Sequence, residues 1–401
     1  MNGDVSHKLP PAAGVPVFDL DLFCDDVLRH PYEVYAQLRA AGPVVYLLRH
    51  DCYAFPRYAE VRLALEDHET FISGKGVGLS EFGNKSRLGT PIASDPPHHT
   101  LVREIVADRL SLRAIREIAP QIQTKADELI ALTLERGVFD GVVDFSRQFP
   151  LLVMADLIGL PEDGREHILD WADAGFNLFG PDNERMRNSM TRFPEVVAYI
   201  RSLEKPGRLR PGSMGAAIYE AAAQGKLRFE QCGPLMIAYL MAGLDTTINA
   251  ISASLLLFGS NPDQWDAVRA NPKLLPIAFN EAIRLEAPIQ NLRRVLSRDF
   301  QLENIILPAG ASVLMMYGSA NRDERKWPDP EHFDVTRNPV GHLALGMGIH
   351  NCPGQFLARA ETTAVLEGLV KNVSRIEVGA PIWHLNNVIR GLEHLPVKLH
   401  R

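Results

Sequence analysis

Cys352 lies in the run His342–Glu361, HLALGMGIHNCPGQFLARAE, after two glycines and just before a Pro-Gly pair. Proline is at home in a first helical turn, so a helix is expected to open at Pro353-Gly354. A sulfur at a helix N-terminus meets free backbone N–H groups and the positive end of the dipole, and both favour thiolate over thiol. Gly346 and Gly348 let the backbone approach a flat ligand closely. A thiolate held in this way is a good axial ligand to iron and pushes electron density toward O–O cleavage. A lone cysteine is more often buried and inert, but here the glycines, His350 and the following helix point to ligation. Zinc held by His350 and Cys352 is the rival metal reading, and no second pair at zinc spacing supports it.

The elements around this segment are mostly helical. Helices are expected over Pro31–Gly42, Tyr58–Asp67, Asp263–Ala270, Leu275–Leu285 and Gln355–Val370, and over most of Pro97–Ala223. Val44–Phe55 reads as a hairpin. Strands are expected at Arg293–Leu302, Ile305–Leu307 and Ser312–Met316, with further pieces over Arg375–Leu399. Phe71–Ile92 is rich in Gly and Ser, has no period and reads as a long surface loop, and such loops are often functional. Arg322–Asn338 is irregular. The class is mainly α with minor β, and no boundary divides the 401 residues, so residues 1–401 read as one domain.

Leu235–Phe258 is apolar and long enough to cross a bilayer. It carries Asp245, Thr246, Thr247 and Asn249 at its middle, and a carboxylate at a bilayer centre is costly. A buried helix bearing functional polar groups is expected instead. The N-terminus MNGDVSHKLPPAAG has no signal-peptide pattern, which places the chain in the cytoplasm. A formal charge of −7 excludes the basic stripe of a nucleic-acid binder. The four cysteines, Cys24, Cys52, Cys232 and Cys352, are too scattered for a disulfide framework.

With Gly348, His350, Cys352 and Gly354 in place, the chain resembles the cytochrome P450 family, whose motif is Phe-x-x-Gly-x-His/Arg-x-Cys-x-Gly. Leu345 stands where the family has Phe, and keeps that position apolar. The resemblance implies the P450 fold, haem b as cofactor and Cys352 as its iron ligand, with Leu345, Gly346 and Gly354 beside the ring. It implies that Ala242-Gly243-Leu244-Asp245-Thr246-Thr247 belongs to the oxygen-binding helix. Small Ala242 and Gly243 would leave room for O2, while Asp245 and Thr246 would deliver the protons that O–O cleavage consumes. The competing reading of an Asp-Thr pair in a helix is back-bonding to the preceding turn. His99, Arg103, Arg294 and His350 match haem-propionate positions, with Arg293 competing for the role of Arg294. Glu281 and Arg284 match a Glu-x-x-Arg pair, completed by Arg337 as a structural support.

The stretches AGPVVY, GVGLS, GREH, FNLFGP, GSANRD and RGLEHLPVKL are similar to bacterial members of the family that oxidise para-substituted benzoic acids. That similarity places Phe176, Phe179, Ile289 and Leu292 in a substrate pocket, with Ser80 in the GVGLS stretch. The positions that hold the benzoate carboxylate there correspond to Ile237, Ala238, Met241 and Trp171, which are not acid-binding groups. A neutral phenol or aryl ether is therefore the first expectation, and an anion held by Lys75 or Arg87 the second. The implied reaction inserts one oxygen atom from O2 into a C–H bond of a small aromatic substrate, as hydroxylation or O-demethylation. Electrons would come from NAD(P)H through a reductase and a ferredoxin, to a monomer that engages no nucleic acid and no membrane. An H2O2-driven peroxygenase and a non-catalytic haem protein are the alternatives.

Overall fold

The structure is a computed structural model that describes residues 11–401. The first ten positions of the N-terminal run read above lie outside the described residues. The helices that frame the site are α1 (His98–Ala107), α2 (Leu112–Leu134), α3 (Gln148–Ile158), α4 (Ile168–Asn177), α5 (Cys232–Ser260), α6 (Leu275–Leu285) and α7 (Gln355–Asn372). α5 is apolar on nearly every face, which suits a helix surrounded by others. It packs on α3, α4, α6 and α7. By length and apolarity it could cross a membrane, but 67% of its most apolar window is buried inside the protein.

The hairpin expected at Val44–Phe55 forms between Val45–Leu47 and Cys52–Phe55, turning at Asp51 with a φ of +48°. It is part of a six-stranded sheet that continues through Ser312–Met315 and Leu292–Leu296 to Phe71–Ile72. Arg294 faces Val313 and Arg293 faces Leu314 across this sheet. Side chains alternate along the strand, so the two arginines point to opposite faces. Only Arg294 falls on the buried face shared with Leu292 and Leu296. A smaller sheet joins Arg375–Val378, Pro396–His400 and Val138–Asp140, and a hairpin pairs Ile382–Leu385 with Arg390–His394.

The segment Phe71–Ile92 departs from the expected surface loop. It opens as a strand, contains the helix Glu81–Ser86 and buries Ser73, Ser80, Arg87 and Thr90. Backbone contact explains the difference. The Leu79 N–H donates to the Phe179 carbonyl at 2.8 Å, and a Cβ on Gly78 would lie 2.7 Å from Phe179 Cα. The glycines that read as loop flexibility instead permit close docking onto the segment after α4.

Candidate active site

The loop before Cys352 is shaped by backbone geometry. Gly346 and Gly348 have φ of +66° and +67°, and a Cβ on Gly348 would lie 2.4 Å from the Leu65 carbonyl oxygen. The Cys352 N–H donates to the Leu345 carbonyl at 2.7 Å and closes the loop. Leu345 packs with Ala250 of α5 and with Phe279 and Ile283 of α6, so it anchors the loop to both helices. α7 begins at Gln355 with Gly354 as its N-cap, so Cys352 precedes the first turn. Burial raises the thiol's proton affinity, and the Gly354 N–H and the Arg103 charge only partly oppose it. The helix-end N–H acts in the expected direction, and burial outweighs it. A bound cation would make the thiolate, because metal coordination deprotonates a thiol outright.

Four cationic or donor side chains converge near this loop. The His99 and His350 rings are 4.5 Å apart, edge to face. His350 Nε2 is 3.1 Å from Ser73 Oγ, and Arg103 Nη2 donates to Asn351 Oδ1 at 2.6 Å. Arg294 is 2% exposed, and its Nη1 donates to the Arg293 carbonyl at 2.9 Å. Arg293 instead donates to the carbonyls of Lys75 and Gly76 and to Ser312 Oγ, which removes it as a competitor. Burial, with the charges of Arg294, His99 and Arg103, pushes the His350 imidazole down to about 2. Among the described residues no carboxylate bonds to any of the four, and the buried His99 Nε2 has no partner. Such a cluster is self-repelling until anions balance it. A thiol on a glycine-lined loop beside unbalanced cations fits a metal macrocycle carrying two carboxylates. The same residues do not suit zinc, and among the described residues no group of three His, Cys, Asp or Glu could hold a metal.

α5 presents three distinct stripes. Ala238, Ala242 and Thr246 lie one turn apart on a face that is not buried. Thr246 Oγ1 donates to the Ala242 carbonyl at 2.7 Å; this is the back-bond weighed above, and it leaves the hydroxyl's lone pairs free to accept. Gly243 faces elsewhere. A Cβ there would lie 2.3 Å from Met154 Cε of α3, so its small size serves helix packing and not, as expected, room for O2. Ile237, Met241, Asp245 and Asn249 form the third stripe, toward α4 and the hairpin Ile382–His394. Asp245 Oδ2 is buried without a hydrogen-bond partner among the described residues. Burial first, then the Asp173 carboxylate, raise the Asp245 carboxyl well above its usual range, against the opposing charge of Arg147. Asp173 is itself paired with His384 at 2.7 Å. Sequence reading missed this pair, because residues 211 apart carry no spacing signal.

A small cavity beside the third stripe is lined by Arg87, Trp171, Leu178, Phe193, Ile237 and Met241. Arg87 is 2% exposed. Its Nη2 contacts the Met241 sulfur and the Gly175 carbonyl, and its guanidinium lies 5.5 Å from the Phe179 ring centroid. Its Nε and Nη1 have no partner among the described residues, and burial pushes its proton affinity down to about 10. Trp171 Nε1 is turned away to Glu195 at 3.4 Å. Phe176 and Phe179 are both buried, 6.3 Å apart. Leu292 shares the Arg294 face, and Ile289 bridges to Ile389.

Of two further expected ligand groups, one is engaged within the protein and the other is exposed. Ser80 caps the helix Glu81–Ser86 by accepting from the Gly83 N–H and donates to the Leu178 carbonyl. Lys75 is exposed, and only its carbonyl is engaged, by Arg293.

Behind the cysteine loop, Glu281 accepts both Nε and Nη2 of Arg284 at 2.7 and 2.8 Å and Nε of Arg337 at 3.0 Å. Arg284 Nη1 donates to the Asn321 carbonyl, and Asn321 Oδ1 accepts the Leu343 N–H. The trio thus braces the loop, in line with the structural support expected from the Glu-x-x-Arg resemblance.

A family model described as Cytochrome P450 matches residues 213–376. The chain is 39% identical to "Cytochrome p450 CYP199A2" of Rhodopseudomonas palustris, over 96% of this chain and 95% of that one. It is 33% identical to the "Beta-dihydromenaquinone-9 omega-hydroxylase" of Mycobacterium tuberculosis, over 94% and 78%. Among solved structures, "cytochrome P450 CREJ in complex with (4-ethylphenyl) dihydrogen phosphate" superposes with a TM-score of 0.83 at 25% identity, covering 93% of this chain and 98% of that one.

Proposed function

Because the chain belongs to the cytochrome P450 family, and so is a haem-b-dependent monooxygenase, we propose that it oxidises a small para-substituted aromatic acid held by Arg87. The haem, held through Cys352, supplies the redox chemistry that activates dioxygen. His99, Arg103, Arg294 and His350 hold its propionates; the arginines fit a carboxylate bidentately. Ala238 and Ala242 keep the neighbouring face of α5 low. Asp245 is a buried acid whose proton affinity is raised and Thr246 a hydroxyl one residue on, so together they hold and hand over protons at Oδ2 and Oγ1.

The observation that carries the substrate reading is Arg87. A buried cation with two unpaired donors is costly, and the natural partner for it is an anion. Of the two substrate charges left open above, this favours the anion. Ile237 and Met241 supply apolar walls, the Phe179 ring lies against the guanidinium, and none of them offers a competing charge. Resemblance to oxidisers of para-substituted benzoates supports the ring and its substitution. The aryl phosphate bound by a similarly folded protein supports an acid group on the ring. Reaction at the para substituent gives hydroxylation, or O-demethylation where that group is methoxy.

Electrons come from a ferredoxin-type partner in the cytoplasm. Arg109, Arg113 and Arg359 are the candidate docking cations; Arg113 is 91% exposed, while the Arg359 guanidinium lies over the Phe279 ring. Titration of the ferric protein with 4-methoxybenzoate, 4-ethylphenyl phosphate and 4-methylanisole tests the reading. The two acids should produce the spin-state shift at lower concentration, and equal or better binding of the neutral ether would overturn it.

A further inference from the structure

Asp245 lies between two packing points of α5. Met241, one turn before it, abuts Gly175, two residues beyond Asp173 in α4; a Cβ on Gly175 would lie 2.3 Å from the Met241 sulfur. Asn249, one turn after it, abuts Gly391, where a Cβ would lie 1.8 Å from Asn249 Oδ1. The cross-strand partner of Gly391 is His384. Asp245 therefore faces the junction where α4 meets the hairpin. At that junction His384 Nε2 is 2.7 Å from Asp173 Oδ1, and Asn386 Nδ2 donates to the same oxygen at 2.7 Å and to the Asp173 carbonyl at 3.2 Å. The His384 and Asp173 side chains are 27% and 36% exposed, so both meet water, while Asp245 Oδ2 does not.

We propose that Asp173 and His384 form a dyad that feeds protons from solvent to Asp245, which makes His384 the gateway residue for proton uptake. The inference rests on the reading of Asp245 as the proton donor. Insertion of one oxygen atom obeys RH + O2 + 2e⁻ + 2H⁺ → ROH + H2O, with the electrons supplied by the ferredoxin. Asp245 stores one proton and must be reloaded within each turnover. The His384 imidazolium gives its proton to the Asp173 carboxylate, Asp173 passes it to the Asp245 carboxylate, and a proton from bulk solvent returns to the His384 imidazole. Only protons move in these steps. Imidazole suits the role because it exchanges a proton near neutral pH, which a guanidinium does not.

His384 meets Asp173, Glu393 and Arg147, and Asp173 and Asp245 each meet Arg147. Burial acts to lower the His384 imidazole, but the bond to Asp173 and the two carboxylate charges leave it raised. Asn386 keeps the accepting oxygen of Asp173 in place.

The test compares wild type, His384→Gln and Asp173→Asn as holoenzymes. Each is supplied with a bacterial ferredoxin and its reductase, and with 4-methoxybenzoate or, if that gives no spin shift, 4-methylanisole. NADH-driven product formation should fall ~10- to 100-fold in both variants, at or below the lower end of the usual range for a general acid–base group of about 10²–10⁴, with more peroxide released per NADH. Substrate affinity by spin shift should stay within about twofold. Turnover driven by added H2O2, which brings its own electrons and protons, should be preserved. Wild-type turnover should fall as pH rises through the His384 titration, and His384→Gln should lose that limb. Independently of activity, NMR titration of the His384 imidazole should give a value above 6.5 that drops in Asp173→Asn. Wild-type coupling and pH profile in His384→Gln would overturn the dyad. So would equal loss of the NADH-driven and H2O2-driven reactions, which marks a structural role. Normal coupling in Asp245→Asn would instead strike the donor reading on which the dyad rests.

Discussion

Replacing Arg87 by Met separates binding from folding in one variant. The guanidinium is buried, meets no carboxylate among the described residues and leaves Nε and Nη1 unpaired. Removing one partner of a buried, hydrogen-bonded charge pair costs about 2–5 kcal/mol of affinity. At about 1.4 kcal/mol per tenfold, a para-substituted benzoate or aryl phosphate should bind ~30-fold to several-thousand-fold more weakly to Arg87→Met. A neutral aryl ether should lose little, because the thioether chain keeps the wall apolar. The fold should not suffer. An uncompensated buried cation opposes folding, and an apolar group of similar length is neutral or stabilising there. The unliganded thermal midpoint should therefore stay or rise. Since the guanidinium is held down to about 10, it remains cationic at neutral pH. Acid binding should then hold from ~pH 5, above a benzoic acid's ionisation, to ~pH 9, and weaken as the pH passes through the guanidinium's own range. Titration of the spin-state shift with 4-methoxybenzoate and 4-methylanisole, beside melting curves, reads all of this. Equal weakening for acid and ether, or none for the acid, refutes Arg87 as the anchor.

Cys352→Ala should lose the red-shifted CO band of the reduced protein, whereas replacement of Cys24, Cys52 or Cys232 should each retain it in the same spectrum. Asp245→Asn should slow NADH-driven turnover by about 10²–10⁴-fold with substrate affinity nearly intact, and Thr246→Ala should divert electrons to peroxide, read as product per NADH. Because the folded Asp245 carboxyl is raised above its ordinary 3.8, the native state holds a proton that the unfolded chain has lost, so this group's share of stability declines as pH rises above about 4; denaturant melts should give a flatter pH dependence in Asp245→Asn. Glu281→Ala removes the acceptor of the buried Arg284 guanidinium and of the partly buried Arg337, and should lower stability by about 3–5 kcal/mol, measured by denaturant unfolding. Charge reversal at Arg109 and Arg113 should slow ferredoxin-driven reduction, and wild-type reduction should slow with added salt; stopped-flow rates check both.

Local chemistry was legible in the sequence and long-range juxtaposition was not. The helix Leu275–Leu285 and the strand Ile305–Leu307 form with the bounds their periodicity predicts, because each buries its own pattern against neighbours. The glycines before Cys352, read as room for a flat ligand, carry positive φ in the structure, and the one at Gly348 makes room for the Leu65 carbonyl. Phe71–Ile92 misled for a physical reason. A segment that docks by its backbone against another needs small residues, and small residues also write a surface loop. Gly243 misled in the same way, since smallness beside the reactive pair was read as space for a ligand when Met154 fills it. Arg293 and Arg294 could not be ranked from composition, and a two-residue alternation in the folded strand ranks them at once.

The division of α5 into stripes explains why acid and substrate anchor can work side by side. A residue every fourth position shares a face, so Ile237, Met241 and Asp245 follow one line past Arg87 and then past Asp173 and His384. The guanidinium and the Asp245 carboxyl are then two turns of one helix apart at most, measured from Met241, which touches Arg87. Were Asp245 ionised at rest, it would compete with the substrate's acid group for that cation. Its raised proton affinity, set first by burial and then by Asp173, keeps it neutral and leaves Arg87 to the substrate. The neutral acid that proton delivery requires is thus also the one that leaves the anchor open. An Asp245 variant that stays neutral, such as Asn, should accordingly keep acid affinity while losing turnover.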